Sequence, residues 1–236
     1  MREVTIGTAI VAYIEPHEGQ AREFNRWYER DHFYAATTAG PGAFAGARWV
    51  ATRACKSVRP PGGVWFGDPA RGSFLTTVWL LDGAQPEWDA WVARQMDVLR
   101  ADDRMFAGRD HLHTAVYRFG CEVRADDAPS AAVALDHGFA GLIAIAVPAD
   151  AVSAEACARE IVGPEVPVAV GLVQERVILS QTDPPAHSLV LGFTPDDPVT
   201  AWRSRVEPAL ARLPTVGFAG PFVRTIPGTD AYVDDL

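Results

Sequence analysis

The sequence predicts an α+β protein made of two β-α-β-β-α-β units in tandem, with antiparallel sheets packed face to face as a barrel and helices outside. Three observations predict it. The order of strand-like and helix-like stretches runs through twice, the second time after an acidic, small-residue-rich segment. The runs GTAIVAYI, SFLTTVWLL and LIAIAV are apolar almost without interruption, as expected where both faces of a sheet are covered. A four-stranded sheet with helices on one face leaves its other face bare, and two such sheets can bury those faces against each other.

Val4 to Ile14 is rich in β-branched residues and reads as a strand ending at Pro16. Glu18 to about Ala36 reads as a helix, because Phe24, Trp27, Tyr28, Asp31 and His32 recur at three- and four-residue spacing. Gly40-Pro41-Gly42 cannot continue it. Phe44 to Arg53 is a second strand. Lys56 to Gly72 is too rich in Pro and Gly for a regular element, yet it carries Trp65 and Phe66, which a surface loop does not normally expose. This loop is therefore expected to fold back over a pocket or a partner surface. Ser73 to Leu81 is a third strand, and Gln85 to Arg100 a helix with Trp88, Trp91, Val92, Met96 and Leu99 on one stripe. His113 to Val123 is a fourth strand.

Arg124 to Asp136 is the best linker candidate, which places the units at residues 1–124 and 141–236 with a connection at 125–140. Leu142 to Val147 opens the second unit. Ser153 to Val162 is a short helix with Ser153 as the expected N-cap. Val166 to Ser180 is a long strand interrupted near Gly171, and Ser188 to Phe193 another. Asp197 to Leu213 opens with Asp-Pro, a favoured helix start, and Val216 to Ile226 is the last strand. The halves repeat element order without residue-level identity.

The chain has 236 residues, long enough to bury a substantial core, with 48% hydrophobic and 22% charged residues. A net charge of −9 argues against a nucleic-acid partner, which would call for a basic stripe. No apolar run approaches the roughly 20 residues that cross a bilayer, and the first residues move straight into a strand pattern without a leader's cleavage site. Cys55, Cys121 and Cys157 are scattered and lack metal-ligand spacing, which suits a cytoplasmic protein.

The segment Phe24-Asn25-Arg26-Trp27-Tyr28-x-x-x-His32, followed by Pro41-Gly42 and the strand with Arg48-Trp49, is similar to a W-Y-x-x-x-H … P-G-F … R pattern. On that pattern the chain resembles the dimeric α+β barrel superfamily of ferredoxin-like units that pair through their sheets, and within it the EthD-like and polyketide-cyclase-like members. The motif covers about residues 4 to 120; beyond them the resemblance is one of element order. It implies a small-molecule enzyme, and the superfamily spans monooxygenases, cyclases, isomerases, dehydratases and haem enzymes. The second unit lacks the decorated helix, since SAEACAREIVG has no Trp, Tyr or His. A single pocket is then expected in the first unit, with the second, shorter unit structural and serving as its built-in partner, so that the chain is a pseudo-dimeric monomer or a homodimer.

His32 lies one turn after Tyr28, so both can point into the cleft between helix and sheet. An imidazole there suits general acid or base work; it could equally be a helix histidine bonded to a carbonyl or an acid. Asp31 is expected to cap or to form an ion pair. Asn25 could donate to a carbonyl or enolate oxygen, or be solvated. Arg48 could hold a substrate carboxylate or enolate, or pair with Asp31 or Glu29. Trp27, Trp49 and Trp79 would form an apolar wall, although Trp27 and Tyr28 also read as core aromatics. His111 and His113 would share a strand face, with Tyr117 beyond them, so His113 and Tyr117 join the candidate substrate-binding residues. A metal site of His32, His111 and His113 is weighed and not adopted, because no carboxylate–histidine spacing supports it. For haem, the resemblance would put the ligand in the second half, where His137 and His187 are the histidines. No P-loop, dinucleotide-type glycine turn, G-x-S-x-G or HExxH appears. The expected function is a cofactor-independent enzyme acting on a small apolar, aromatic or polyketide-like molecule. His32, Tyr28 and Arg48 would be its catalytic residues, and cyclisation, isomerisation or dehydration its chemistry. The alternatives are a monooxygenase of the same fold and a non-catalytic binding protein.

Overall fold

Eight strands close into one antiparallel barrel in the order β1-β3-β2-β8-β5-β7-β6-β4, with β4 returning to β1. The structure is a computed structural model and describes residues 4–62, 64–135 and 138–236. The strands are β1 (Ile6–Pro16), β2 (Ala43–Val50), β3 (Phe74–Leu81), β4 (Arg109–Arg124), β5 (Gly141–Pro148), β6 (Val168–Ser180), β7 (His187–Thr194) and β8 (Phe218–Arg224). Helix α1 (residues 21–38) begins as Ala21–Trp27 and continues through wide π-type turns at Tyr28–His32 and Tyr34–Thr38. The other helices are α2 (Arg53–Ser57), α3 (Gln85–Ala101), α4 (Ala131–Ala134), α5 (Ala151–Ile161) and α6 (residues 198–210).

Within each half the strand order is the same, fourth-first-third-second: β4-β1-β3-β2 and β8-β5-β7-β6. The halves do not meet as two separate sheets. They join edge to edge into a single closed sheet. One seam, β4 with β6, carries eleven paired residues; the other, β2 with β8, carries two. Alternate side chains then point inward or outward. Trp49, Trp79, Tyr117, Phe193 and Phe222 belong to the inner cluster, and the outer faces pack beneath the helices.

Several local expectations are corrected. Arg53 opens α2 instead of ending a strand, and the Thr52 side chain caps that helix by accepting from the Cys55 amide. The N-cap of α5 is Asp150, whose carboxylate accepts from the Ser153 amide, while Ser153 lies inside the first helical turn. The irregularity sought near Gly171 lies on its partner strand, as a bulge between Phe119 and Cys121. Within the connection at 125–140, Ala131, Ala134, Leu135 and Phe139 are buried and join the inner cluster, closing one end of the barrel. The Pro/Gly-rich loop closes the other end. Phe66 stacks on His113 with ring centroids 5.1 Å apart, and the Trp65 amide donates to the Gly217 carbonyl.

Candidate active site

Helix α1 crosses the outer face of β1, β3 and β4 beside α3, and between them lies a cavity of about 860 Å³. Its walls are mainly apolar: Ile10 and Ala12 from β1, Val78 from β3, Val92 and Met96 from α3, and Met105 and Phe106 before β4. The wide turns of α1, with bonds such as Phe33 N–H to the Tyr28 carbonyl, hold Tyr28, His32 and Ala36 on the cavity side. Turns of this kind recur at functional sites. Gly40 ends the helix where a Cβ would lie 2.6 Å from the Trp88 ring, so only glycine lets Trp88 close in and donate to the Thr37 carbonyl at 3.1 Å.

His32 is 9% exposed and stands in the cavity wall. Trp27 stacks behind it at 4.4 Å, and Tyr28 meets it edge-on at 5.2 Å. Its Nδ1 is buried without a hydrogen-bond partner. Burial first, and then the charge on Arg109, hold its pKa down to about 3, so the ring is neutral near pH 7. The Tyr28 hydroxyl is hydrogen-bonded to Thr76, and burial raises its pKa. Asp31 turns away and forms a two-point ion pair with Arg104.

Arg48 and Asn25 are together but lie behind this layer. The Arg48 guanidinium rests 4.7 Å from the Tyr28 ring and donates to Asn25 Oδ1 at 3.0 Å, with Glu29 at 4.0 Å. Burial lowers its pKa to about 10. Asn25 in turn donates to the Thr229 carbonyl at 3.1 Å and to Asp230. Neither side chain lines the cavity.

Trp49, Trp79, His113 and Tyr117 fall on the other face of the sheet, inside the barrel, and take no part in the cavity wall. A bulge explains the histidines. Tyr13 pairs with His113 but Ile14 pairs with His111, skipping Leu112, so the two histidines no longer share a face. His111 lines the cavity, whereas His113 bonds to Ser180 and stacks on Phe66. Tyr117 donates to His187 Nε2 at 2.7 Å, while His187 Nδ1 donates to the Pro185 carbonyl at 2.8 Å. With both nitrogens engaged, His187 does not fit a haem ligand. His137 lies outside the described residues. Among the described residues no group of three or more His, Cys, Asp or Glu side chains is placed to hold a metal ion.

Sequence reasoning passed over Arg109, Met105 and Phe106, which reach the site from the turn into β4, and Arg176, Ile178 and Leu179, which come from β6 in the second half. The only sequence signal for the first group is that Arg109 lies two residues before His111. The second had none, because its approach depends on β6 leaving β7 after Val173 and following β4.

Two solved structures share this architecture. One, described as an anthrone oxidase-like protein, matches with a TM-score of 0.56 and 8% identity over 95% of this chain and 93% of its own. The other, described as a chlorite dismutase, matches with a TM-score of 0.54 and 12% identity over 98% of this chain and all of its own. The fold is the α+β barrel. At such identities the likeness is one of fold alone. No protein-family model matches the sequence, and no curated protein matches it. No helix among the described residues is long and apolar enough to cross a membrane.

Proposed function

We propose that this α+β barrel is a cofactor-independent enzyme, of EthD-like or polyketide-cyclase-like type, that moves a proton on a small apolar aromatic or polyketide-like molecule held between α1, α3 and the barrel wall. The observation that carries the reading is His32: a neutral imidazole in the wall of an apolar cavity, backed by Trp27 and lacking a partner at Nδ1. Such a ring takes a proton from a C–H or O–H acid, and the enolate formed has three outcomes. Returning the proton at another atom is an isomerisation, attack on a carbonyl of the same molecule is a cyclisation, and loss of water after that attack is a dehydration. Tyr28 positions a substrate oxygen. Arg48 acts through Tyr28, whose ring it supports, and Asn25 acts through Arg48.

The fold also supports the reading of two ferredoxin-like units, residues 1–124 and 141–236, joined by 125–140. The shared strand order is its basis, and the second unit takes the place of a partner subunit. The second chemical reading is oxygenation. It is favoured by the shared fold with a protein described as anthrone oxidase-like, and it begins with the same proton transfer. The carbanion would then reduce dioxygen, so that a CH2 group and O2 become a carbonyl and water.

Incubating the protein with polycyclic aromatic and polyketide-like compounds, with and without oxygen, and weighing the products separates these reactions. Unchanged mass reports isomerisation or cyclisation, loss of water a dehydration, and gained oxygen the oxygenase. His32→Ala is expected to abolish each while keeping the fold. Full turnover in that variant removes the histidine from the mechanism and the reading with it.

A further inference from the structure

Among the described residues, Arg109 stands in the cavity wall without a counter-charge. Asp89 is held by Arg176, both carboxylate oxygens lying 2.8 Å from Nη2, and also accepts from Gln85. Asp97 pairs with Arg100 at 3.0 Å. Arg109 lines the same cavity, and among the described residues no carboxylate pairs with it. Its neighbour Asp110 is engaged elsewhere, by Arg71, His17 and Gln181. A half-buried cation in an apolar wall without a partner is unfavourable unless something else supplies the negative charge.

The way Arg109 is held indicates what that is. Its guanidinium lies 4.6 Å over the Trp27 ring, and its Nε donates to His111 Nε2 at 3.3 Å. Accepting at Nε2 fixes His111 as the Nδ1–H tautomer, and Nδ1 accordingly donates to Thr114 Oγ1 at 2.9 Å. The side chain is thus anchored at its ring-stacked face and at Nε, while hydrogen bonds to the two terminal nitrogens remain to be made. A planar fork with two parallel donors matches a carboxylate. The walls beside it, Phe106, Met105, Met96 and Val78, suit a flat hydrocarbon body.

We propose that the ligand of this cavity is an aromatic carboxylate, its acid group bound by Arg109 and its ring system lying against Phe106 and the methionines. His111 is then a positioning residue, acting through Arg109. The proposal rests on the cavity's being the functional site, and it narrows the substrate class there. It does not depend on His32 being the proton-transfer group.

The test is equilibrium binding by calorimetry of benzoate, 2-naphthoate and anthracene-2-carboxylate, each against its methyl ester, which keeps the ring and removes the charge. At least one acid is expected to bind tenfold or more tightly than its ester. Arg109→Met should erase that preference while leaving ester binding in place. Arg109→Lys, which keeps the charge without the fork, should retain part of it. His111→Leu should weaken acid binding less than Arg109→Met does, and circular dichroism on each variant verifies the fold. His32→Ala should keep the preference for the acid, so a failure of the proton-transfer reading is distinguishable from a failure of this one. If no acid in the series binds more tightly than its ester, including the case in which none binds, or if Arg109→Met leaves the preference intact, the assignment is wrong.

Discussion

At the residue scale, the histidine in the cavity and the arginine behind it are buried for different reasons. His32 stands neutral among aromatic rings, with its pKa near 3, so a rate that depends on its neutral form should show no acid limb near 6.5. A pH–rate profile flat from about pH 6 to 8, where the fold persists, is expected, and a limb close to the ordinary histidine value would mean that a different group is titrating. His32→Ala should lower kcat by about 100-fold or more. Arg48 is charged, 5% exposed, and tied to Asn25, Glu29 and the faces of Tyr28 and Phe74. Arg48→Ala removes the cation facing buried Glu29 and should cost about 3 kcal/mol in urea unfolding. The W-Y-x-x-x-H helix and Arg48 were both legible in the sequence. What was not legible is that Asn25 also meets the Thr229 carbonyl and the Asp230 carboxylate, because those groups lie more than 200 residues downstream.

At the element scale, the loop at 56–72 and the strand β6 exchange the roles their sequences suggested. The loop's bulky residues do fold inward, yet they plug the barrel end and sit on the face of the sheet opposite the cavity. Phe66→Ala should therefore destabilise the protein by about 3 kcal/mol, from the void left among Tyr13, His113 and Phe218, without changing ligand binding in the cavity. Altered binding in that variant would make the loop a lid. The second half, expected to be purely structural, sends Arg176, Ile178 and Leu179 to the cavity rim. The two barrel seams differ as well. Amides of Trp49 and Val50, at the two-pair seam, should exchange with solvent sooner than those of Val116 and Tyr117 at the eleven-pair seam, measured by native-state hydrogen exchange.

At the scale of the whole molecule, the buried neutral histidines make stability depend on pH. His32 is held near 3, and His111 and His113 near 4, each mainly by burial. A histidine whose folded pKa lies below its unfolded value binds fewer protons when folded. Stability is then unaffected above about pH 6.5 and is lost as pH falls below it, the loss levelling off only near the folded values. At pH 5 each of the three contributes a loss on the order of 2 kcal/mol, comparable together to the stability of an ordinary domain. Thermal unfolding should show Tm falling steeply between about pH 6.5 and 4, and a Tm that holds steady through that range would mean that these rings are not buried and neutral.

Local spacing and backbone chemistry are enough to place the eight strands, the break at Gly40-Pro41-Gly42, and the helix that carries Tyr28 and His32 together, but not the short helices α2 and α4. The tertiary structure alone decided which face of each strand looks into the barrel. In strands such as SFLTTVWLL both faces are apolar, so a period of two gives Trp79 and Val78 equal claim to the cavity, and no polar residue marks the difference. It also decided that Arg109 and His111 reach the cavity while His113 does not. That outcome rests on one skipped residue opposite Tyr13 and Ile14, a pairing between distant strands that no stretch of sequence encodes locally.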